Sequence, residues 1–565
     1  MIRVRQIKGD VIELFFNPRE RAEALSVGGN ILVREKDTRR GLIVQVFGLE
    51  TVSYPALIRE QLELAAEGGP LPPAALFELA QPAGPELTRG NVLVAKAKIR
   101  KRVSSDDWSH WDGWIPTRDV LIEKVADKDL ASFCFRDHGH LLRLGRMAGR
   151  DEILIEGRDL EKVNIITGVK GSGKSHLAKV ILLELIRLGA PCIVFDLNRE
   201  YVHLPKYRVN PVSREGQRGV LILSAGGNLK LDVRQFGLVP LSRMLAQYGL
   251  PEVSLLYFEN RLSRLLGEAG EWERRGKRPP FLGIPQLIQM AHEGEFARGM
   301  NAPAVNGAIA SRLRALMGTG IFARSEAEVT DLRDYYKLVR DGGAIVIDIS
   351  HLGNRARSGL VQAVMEVVKE ICEGEINTNT NRFPFLFFEE AHLYVSRTSI
   401  DYLVTRARHL GASSVFITNM IGGLDEAVLR QADNLFLLRL PFEDDVRHVA
   451  KSAKTDYETL SSFVRRLPDW NALAIGEVTR GYPLIFRVDP LEGVNTAGET
   501  RLLFGDGLRP EASRLSGSTE PSSRARAEGL AEVSTKSQPE GFKPEGIRDI
   551  RGSRPLQGSL FEREV

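Results

Sequence analysis

Gly168-Val169-Lys170-Gly171-Ser172-Gly173-Lys174-Ser175 carries the strongest structural signal in the chain. It has the spacing Gly-x-x-x-x-Gly-Lys-Ser, follows an apolar run at Val163 to Thr167, and opens a helical pattern from Ser175 to Leu188 that Gly189 closes. Glycines in such a loop let backbone N–H groups curl around phosphate oxygens, and the helix N-terminus behind them adds partial positive charge. Lys174 is the side chain placed to reach β/γ-phosphates, and the Ser175 hydroxyl is a ligand type suited to Mg²⁺. With Val169, Lys170, Gly171, Ser172 and the following His176, these residues form the candidate nucleotide site, which implies ATP and Mg²⁺ as the bound species.

The buried strands expected around the loop are Val163 to Thr167, Cys192 to Phe195, Ala344 to Ile349, Phe385 to Phe388 and Ser414 to Thr418. Each is short, apolar and rich in β-branched or aromatic residues, and long helical segments separate them, which is the signature of a mostly parallel α/β sheet. From about 239 to 341 no strand stands out, so a helical subdomain interrupts the core. Before the core, alternating runs at Val11 to Phe16, Asn30 to Val33, Gly41 to Val46 and Gly90 to Ala95 are separated by turn residues, as in a small β-barrel. The expected organisation is a barrel with connector over 1–125, a P-loop core over 126–500, and a tail over 501–565. The tail is poor in apolar periodicity and is expected to be disordered.

A nucleotide-hydrolysing loop needs carboxylates at a neighbouring strand end. Two places offer them: Asp348 after Ile345-Val346-Ile347, and the pair Glu389-Glu390 after Phe385-Leu386-Phe387-Phe388. The pair is preferred because one carboxylate, Glu389, can hold Mg²⁺ while the other, Glu390, polarises water. Asn419, ending the strand Val415 to Thr418, is a candidate for orienting that water or sensing the γ-phosphate; an ordinary turn-starting asparagine is the bland alternative. Arg406 and Arg408 lie between those two strands and are either solvated helix residues or a guanidinium that reaches a neighbouring subunit's nucleotide. His392 reads as a local hydrogen-bonding residue.

Composition excludes several classes. Hydrophobic residues make up 43% and charged residues 27%, the net charge is +4, and the three cysteines Cys134, Cys192 and Cys372 stand far apart. Neither a disulfide framework nor a CxxC metal site is indicated, and the mild charge names no partner by itself. No apolar run approaches the roughly 20 residues that span a bilayer, so a cytoplasmic protein without membrane contact is expected. A GTPase switch is disfavoured because no Asn-Lys-x-Asp run is present.

Together, the barrel, the P-loop, Phe195-Asp196-Leu197-Asn198-Arg199-Glu200-Tyr201, Glu389-Glu390-Ala391-His392, and Arg408-His409-Leu410-Gly411 before Thr418-Asn419 resemble the HerA branch of the HerA/FtsK ATPases. The resemblance covers about Met1 to Pro490. It implies a RecA-like core, a HAS-barrel that helps assemble a homohexamer, and Arg408 as an arginine acting in trans. It further implies a DNA translocase or helicase on double-stranded DNA, with a nuclease (NurA-like) or another effector such as a sirtuin-like subunit, in DNA end processing or phage defence. The alternative is a nucleotide-gated ring scaffold that regulates an effector without processive translocation. Glu389 stands where the family usually has Asp, Asn419 where Gln is common, and Lys162 where Arg often precedes the P-loop strand. Near the C-terminus, Gln557-Gly558-Ser559-Leu560-Phe561 is similar to the bacterial sliding-clamp-binding motif, implying a docking role for Gln557, Leu560 and Phe561 over 557–561.

Overall fold

A computed structural model describes residues 3–16, 25–36, 40–53, 91–104, 107–116, 120–148, 151–206, 208–209, 216–395, 411–451, 455–491 and 494. Arg406, Arg408 and the tail residues Gln557, Leu560 and Phe561 lie outside them.

The first sheet is antiparallel and built from β1 (Arg3–Lys8), β2 (Val11–Phe16), β3 (Asn30–Glu35), β4 (Arg40–Ser53), β5 (Asn91–Ser104), β6 (Asp107–Ser109) and β7 (Val120–Lys124). Its order is β1-β2-β5-β4-β3-β7, with β6 on β5. Alternate residues Ile12, Leu14, Ile31, Val33, Leu42, Val44 and Val46 turn to one core, the period-two pattern that a half-buried sheet demands. Register shifts in the β4–β5 ladder at Ile43/Val44 and Val46/Gly48 mark irregularities that help a long sheet curl into a small barrel. The segment expected to be a connector contributes β6 and β7: its strand Val120–Lys124 is short and charged, but one edge of it pairs with β3.

The second sheet has eleven strands: β8 (Leu141–Arg146), β9 (Glu152–Glu156), β10 (Val163–Thr167), β11 (Pro191–Asp196), then, after a two-residue hairpin of β12 (Arg208–Val209) and β13 (Gly216–Gln217), β14 (Val220–Ser224), β15 (Gly343–Asp348), β16 (Phe385–Phe388), β17 (Ser413–Thr418), β18 (Asn434–Leu437), β19 (Asn471–Gly476) and β20 (Leu484–Val488). The order is β14-β15-β11-β16-β17-β10-β18-β19-β20-β8-β9. Strands β14 to β18 along this order run parallel, and β19, β20, β8 and β9 continue antiparallel.

The central strands are buried on both faces, as a sheet covered by helices on both sides requires. Ile165, Phe195, Phe388 and Phe416 face one core, while Ile166, Val194, Phe387 and Ile417 face the other. Phe388 stacks between Phe195 and Phe416 at 5.2 and 5.1 Å, locking β11, β16 and β17 in register. Helices at Val233–Phe236, Leu238–Gln247, Glu252–Arg274, Ile284–His292, Ala302–Met317 and Leu332–Val339 fill the interval between β14 and β15.

The two sheets are pinned together. Gln45 donates to the Pro483 carbonyl at 2.8 Å and Tyr482 donates to Asn30 Oδ1 at 2.6 Å. Arg100, on β5, donates to Gln45, Asp456 and Thr459 at 3.1, 3.3 and 2.6 Å, and Asp456 caps the helix Tyr457–Val464.

Candidate functional site

Parallel strands deliver their carboxyl ends to one edge of the sheet, the usual place for a ligand crevice. Register pairs Thr167 with Thr418 and Asp196 with Asp348, so the segments after β10, β11, β15, β16 and β17 all emerge there.

The loop after β10 is held from outside. Val169 N–H donates to the Arg439 carbonyl at 2.9 Å, and Trp470 N–H donates to the Ser172 carbonyl at 3.0 Å. Ser172 Oγ closes the turn by donating to Val169 O at 2.7 Å. Gly171 and Gly173 take φ of 80° and 105°, where a Cβ is strained, and a Cβ on Gly168 would stand 2.8 Å from Leu438 Cβ. The helix Lys174–Arg187 begins directly behind, and its first N–H groups have no intrahelical acceptor. Lys174 is 7% exposed, and its ammonium donates to Val169 O at 3.1 Å. Burial lowers its pKa, opposed by Glu390, Glu389 and Glu200.

Glu389 and Glu390 follow β16, one strand removed from β10 because β17 lies between. Asp348 ends β15, two strands further out, and meets Arg199 Nε at 3.2 Å. Glu389 is fully buried beneath the loop. Ser175 Oγ donates to its Oε1 at 3.2 Å and Tyr201 Oη donates to its Oε2 at 3.0 Å. Burial pushes its pKa up to about 8, helped by Glu200 and Glu390. A carboxyl so disfavoured as an anion, aimed at the serine of a phosphate loop, is chemistry that suits a divalent cation. Among the described residues no group of three His, Cys, Asp or Glu could hold a metal.

Glu390 points elsewhere. Its backbone is left-handed, φ 50° and ψ 48°, which turns the chain sharply between the two carboxylates and sends them to different partners. Asn419 Nδ2 donates to Glu390 Oε1 at 3.2 Å, and His392 Nδ1 stands 3.6 Å from Oε2. His392 also meets Thr418 Oγ1 at 3.0 Å, and burial lowers its pKa. The two carboxylates are thus divided: Glu389 meets Ser175 and Tyr201, while Glu390 meets Asn419 and His392.

On the far flank of the loop, a cavity of about 630 Å³ is lined by Arg146, His176, Trp470, Arg487, Asp489 and Leu491. His176 meets Trp470 edge-on at 4.4 Å, and its Nε2 is 2.8 Å from the Asp489 carbonyl. In the sequence, His176 is marked only as the neighbour of Ser175. Trp470 and Asp489 follow some three hundred residues later and carry no local signal. Tyr201 and Glu200 were visible in the Phe195–Tyr201 stretch, but not their contacts: Glu200 pairs with the buried Lys179 at 3.6 Å.

A glycine loop between a buried strand and a helix, with a carboxylate pair one strand beyond its neighbour, defines this chain as a P-loop ATPase. Residues 142–368 match the family model described as "Helicase HerA, central domain". The chain is 21% identical over 408 residues to "DNA double-strand break repair helicase HerA" of Sulfolobus acidocaldarius, covering 68% of this chain and 76% of that protein. It is 21% identical over 415 residues to the protein of the same name from Saccharolobus solfataricus, covering 71% and 78%. Over these stretches the chain is similar to HerA helicases, a branch of the P-loop ATPases. Among solved structures, VirB4 of Thermoanaerobacter pseudethanolicus is similar at 16% identity and a TM-score of 0.47, covering 64% of this chain and 99% of that one. No helix among the described residues is long and apolar enough to cross a membrane.

Proposed function

We propose that this chain is the subunit of a homohexameric, ATP-driven translocase or helicase acting on double-stranded DNA. In this reading it works with a nuclease or other effector subunit in DNA end processing or phage defence. The DNA assignment draws on the curated relatives, which are named as double-strand break repair helicases.

The observation that carries the enzymatic part is the division of the two carboxylates, one bonded to Ser175 and the other to Asn419. The N–H groups of the loop and Lys174 bind the phosphate chain of ATP and offset its charge. Ser175 and Glu389 would hold Mg²⁺, which when bound neutralises charge on β- and γ-phosphate oxygens. Glu390 accepts a proton from the attacking water, and the Asn419 amide fixes the carboxylate that does so. Arg408, from a neighbouring subunit, completes the charge stabilisation in the ring. His176 and Trp470 receive the base.

The test is ATP hydrolysis by the full chain with and without linear duplex DNA over a series of salt concentrations. Phosphate contacts displace counterions, so stimulation should appear with DNA and fall steeply as salt rises. Hydrolysis that responds to an effector subunit but never to DNA would overturn the motor in favour of a ring scaffold.

A further inference from the structure

We propose that Tyr201 is a positioning residue for the metal-binding carboxylate: its hydroxyl fixes Glu389 so that one oxygen faces Ser175 and the loop. This rests on the reading of Ser175 and Glu389 as the Mg²⁺ side of the site.

Two donors grip the two oxygens of Glu389. Ser175 Oγ takes Oε1 at 3.2 Å and Tyr201 Oη takes Oε2 at 3.0 Å. Both Glu389 and Tyr201 are buried, at 1% and 0% exposure, so neither contact is shared with bulk water. A glutamate carries one more rotatable bond than an aspartate and reaches one methylene further. Without a second contact its carboxyl could rotate away from the serine. The tyrosine removes that freedom.

Tyr201 is itself fixed. Its backbone N–H donates to Asp196 Oδ2 at 2.9 Å, and Glu200 N–H donates to Asp196 Oδ1 at 3.0 Å. Asp196 ends β11, whose Phe195 pairs with Phe388 just before Glu389. On the other side, Lys179 of the P-loop helix stands with its ammonium 5.9 Å from the Tyr201 ring centre and pairs with Glu200 at 3.6 Å. The ring is therefore wedged between the helix that carries Ser175 and the strand beside Glu389. The ring packs and the hydroxyl aims, and a phenylalanine would preserve the first function while removing the second.

The experiment compares wild type, Tyr201→Phe, Glu389→Asp and the double variant in the full chain. Outer contacts to metal ligands are worth about 10- to 100-fold in metal affinity or activity. Tyr201→Phe should raise the Mg²⁺ concentration for half-maximal ATP turnover by that factor. Equilibrium binding of a fluorescent non-hydrolysable ATP analogue gives a readout independent of turnover. Its Mg²⁺-dependent tightening should weaken by the same factor, while binding without Mg²⁺ stays within about twofold. Aspartate at 389 is too short to keep both donors, so adding Tyr201→Phe to Glu389→Asp should cost no more than about twofold further. Unchanged Mg²⁺ dependence in Tyr201→Phe overturns the proposal, as does equal weakening with and without Mg²⁺ together with a lowered melting temperature, which marks a packing role. If the wild type itself hydrolyses ATP without regard to Mg²⁺, the metal-site reading fails first and takes this inference with it.

Discussion

Glu390→Gln separates the water side of the site from everything else that holds it together. Glutamine keeps the shape of the side chain, its Oε1 can still accept from the Asn419 amide 3.2 Å away, and its backbone tolerates the same left-handed φ of 50°. What disappears is the proton acceptor. Positioned acid–base groups contribute about 10²- to 10⁴-fold, which at about 1.36 kcal/mol per decade is about 2.7–5.4 kcal/mol of barrier. Stability should barely move. Neutralising Glu390 removes an attraction that favours charged Lys174 but also a repulsion that disfavours charged Glu389. These oppose each other, so the unfolding free energy should shift by no more than about 1 kcal/mol. The assay is steady-state phosphate release beside equilibrium binding of a fluorescent ATP analogue. Turnover should fall by at least about a hundredfold while binding stays within about threefold. Turnover within about threefold of wild type would refute Glu390 as the acceptor, and lost binding would show that it acts on ground-state affinity instead.

Arg100→Met cuts the pin between the barrel sheet and the helix Tyr457–Val464. Lys98 stays 3.7 Å from Asp456, so the loss is that of charged hydrogen bonds, about 1.5–3 kcal/mol in urea unfolding, and a change below about 0.5 kcal/mol would contradict the pin. Burial pushes the Cys134 and Cys372 thiols up to about 12 and Cys192 higher still, so all three stay protonated and enclosed. Ellman's reagent should find no fast-reacting thiol in the native chain at pH 8 and three in denaturant; one fast thiol in the native chain would refute that burial.

The sequence made the P-loop legible because its signal is local: an apolar strand, glycines that must take positive φ, and a helix, all within some twenty-five consecutive residues. The strands at 163–167, 385–388 and 413–418 were readable for the same reason, being short, apolar and buried on both faces. Strands β8, β9, β14 and β18 to β20 were not named. β20, with its pattern Leu484-Ile485-Phe486-Arg487-Val488, and β8 lie in the antiparallel extension, where half-exposed positions dilute the apolar run. Buried β18 is as short as β16 but opens on Asn434 and carries one aromatic residue where β16 carries three, so its strand signal is weaker. Within the site, the residue types at 389, 390 and 419 could be chosen by chemistry, since a phosphate loop needs carboxylates and a polar group at neighbouring strand ends. Their division of labour could not. It depends on a left-handed turn at Glu390 and on a tyrosine 188 residues away from Glu389, neither of which leaves a mark in local sequence.

Gly168 to Ser175 and the carboxylates that follow β16 should together hydrolyse ATP. Lys174 is the buried ammonium of that loop, 7% exposed and attracted by Glu390, Glu389 and Glu200. The most direct measurement is ATP hydrolysis by wild type and Lys174→Ala, purified identically and assayed with Mg²⁺ and duplex DNA. Loss of one preorganised charge-stabilising donor costs about 10²- to 10³-fold, so Lys174→Ala should retain about 1% of the wild-type rate or less. Equal rates in the two proteins would contradict the account.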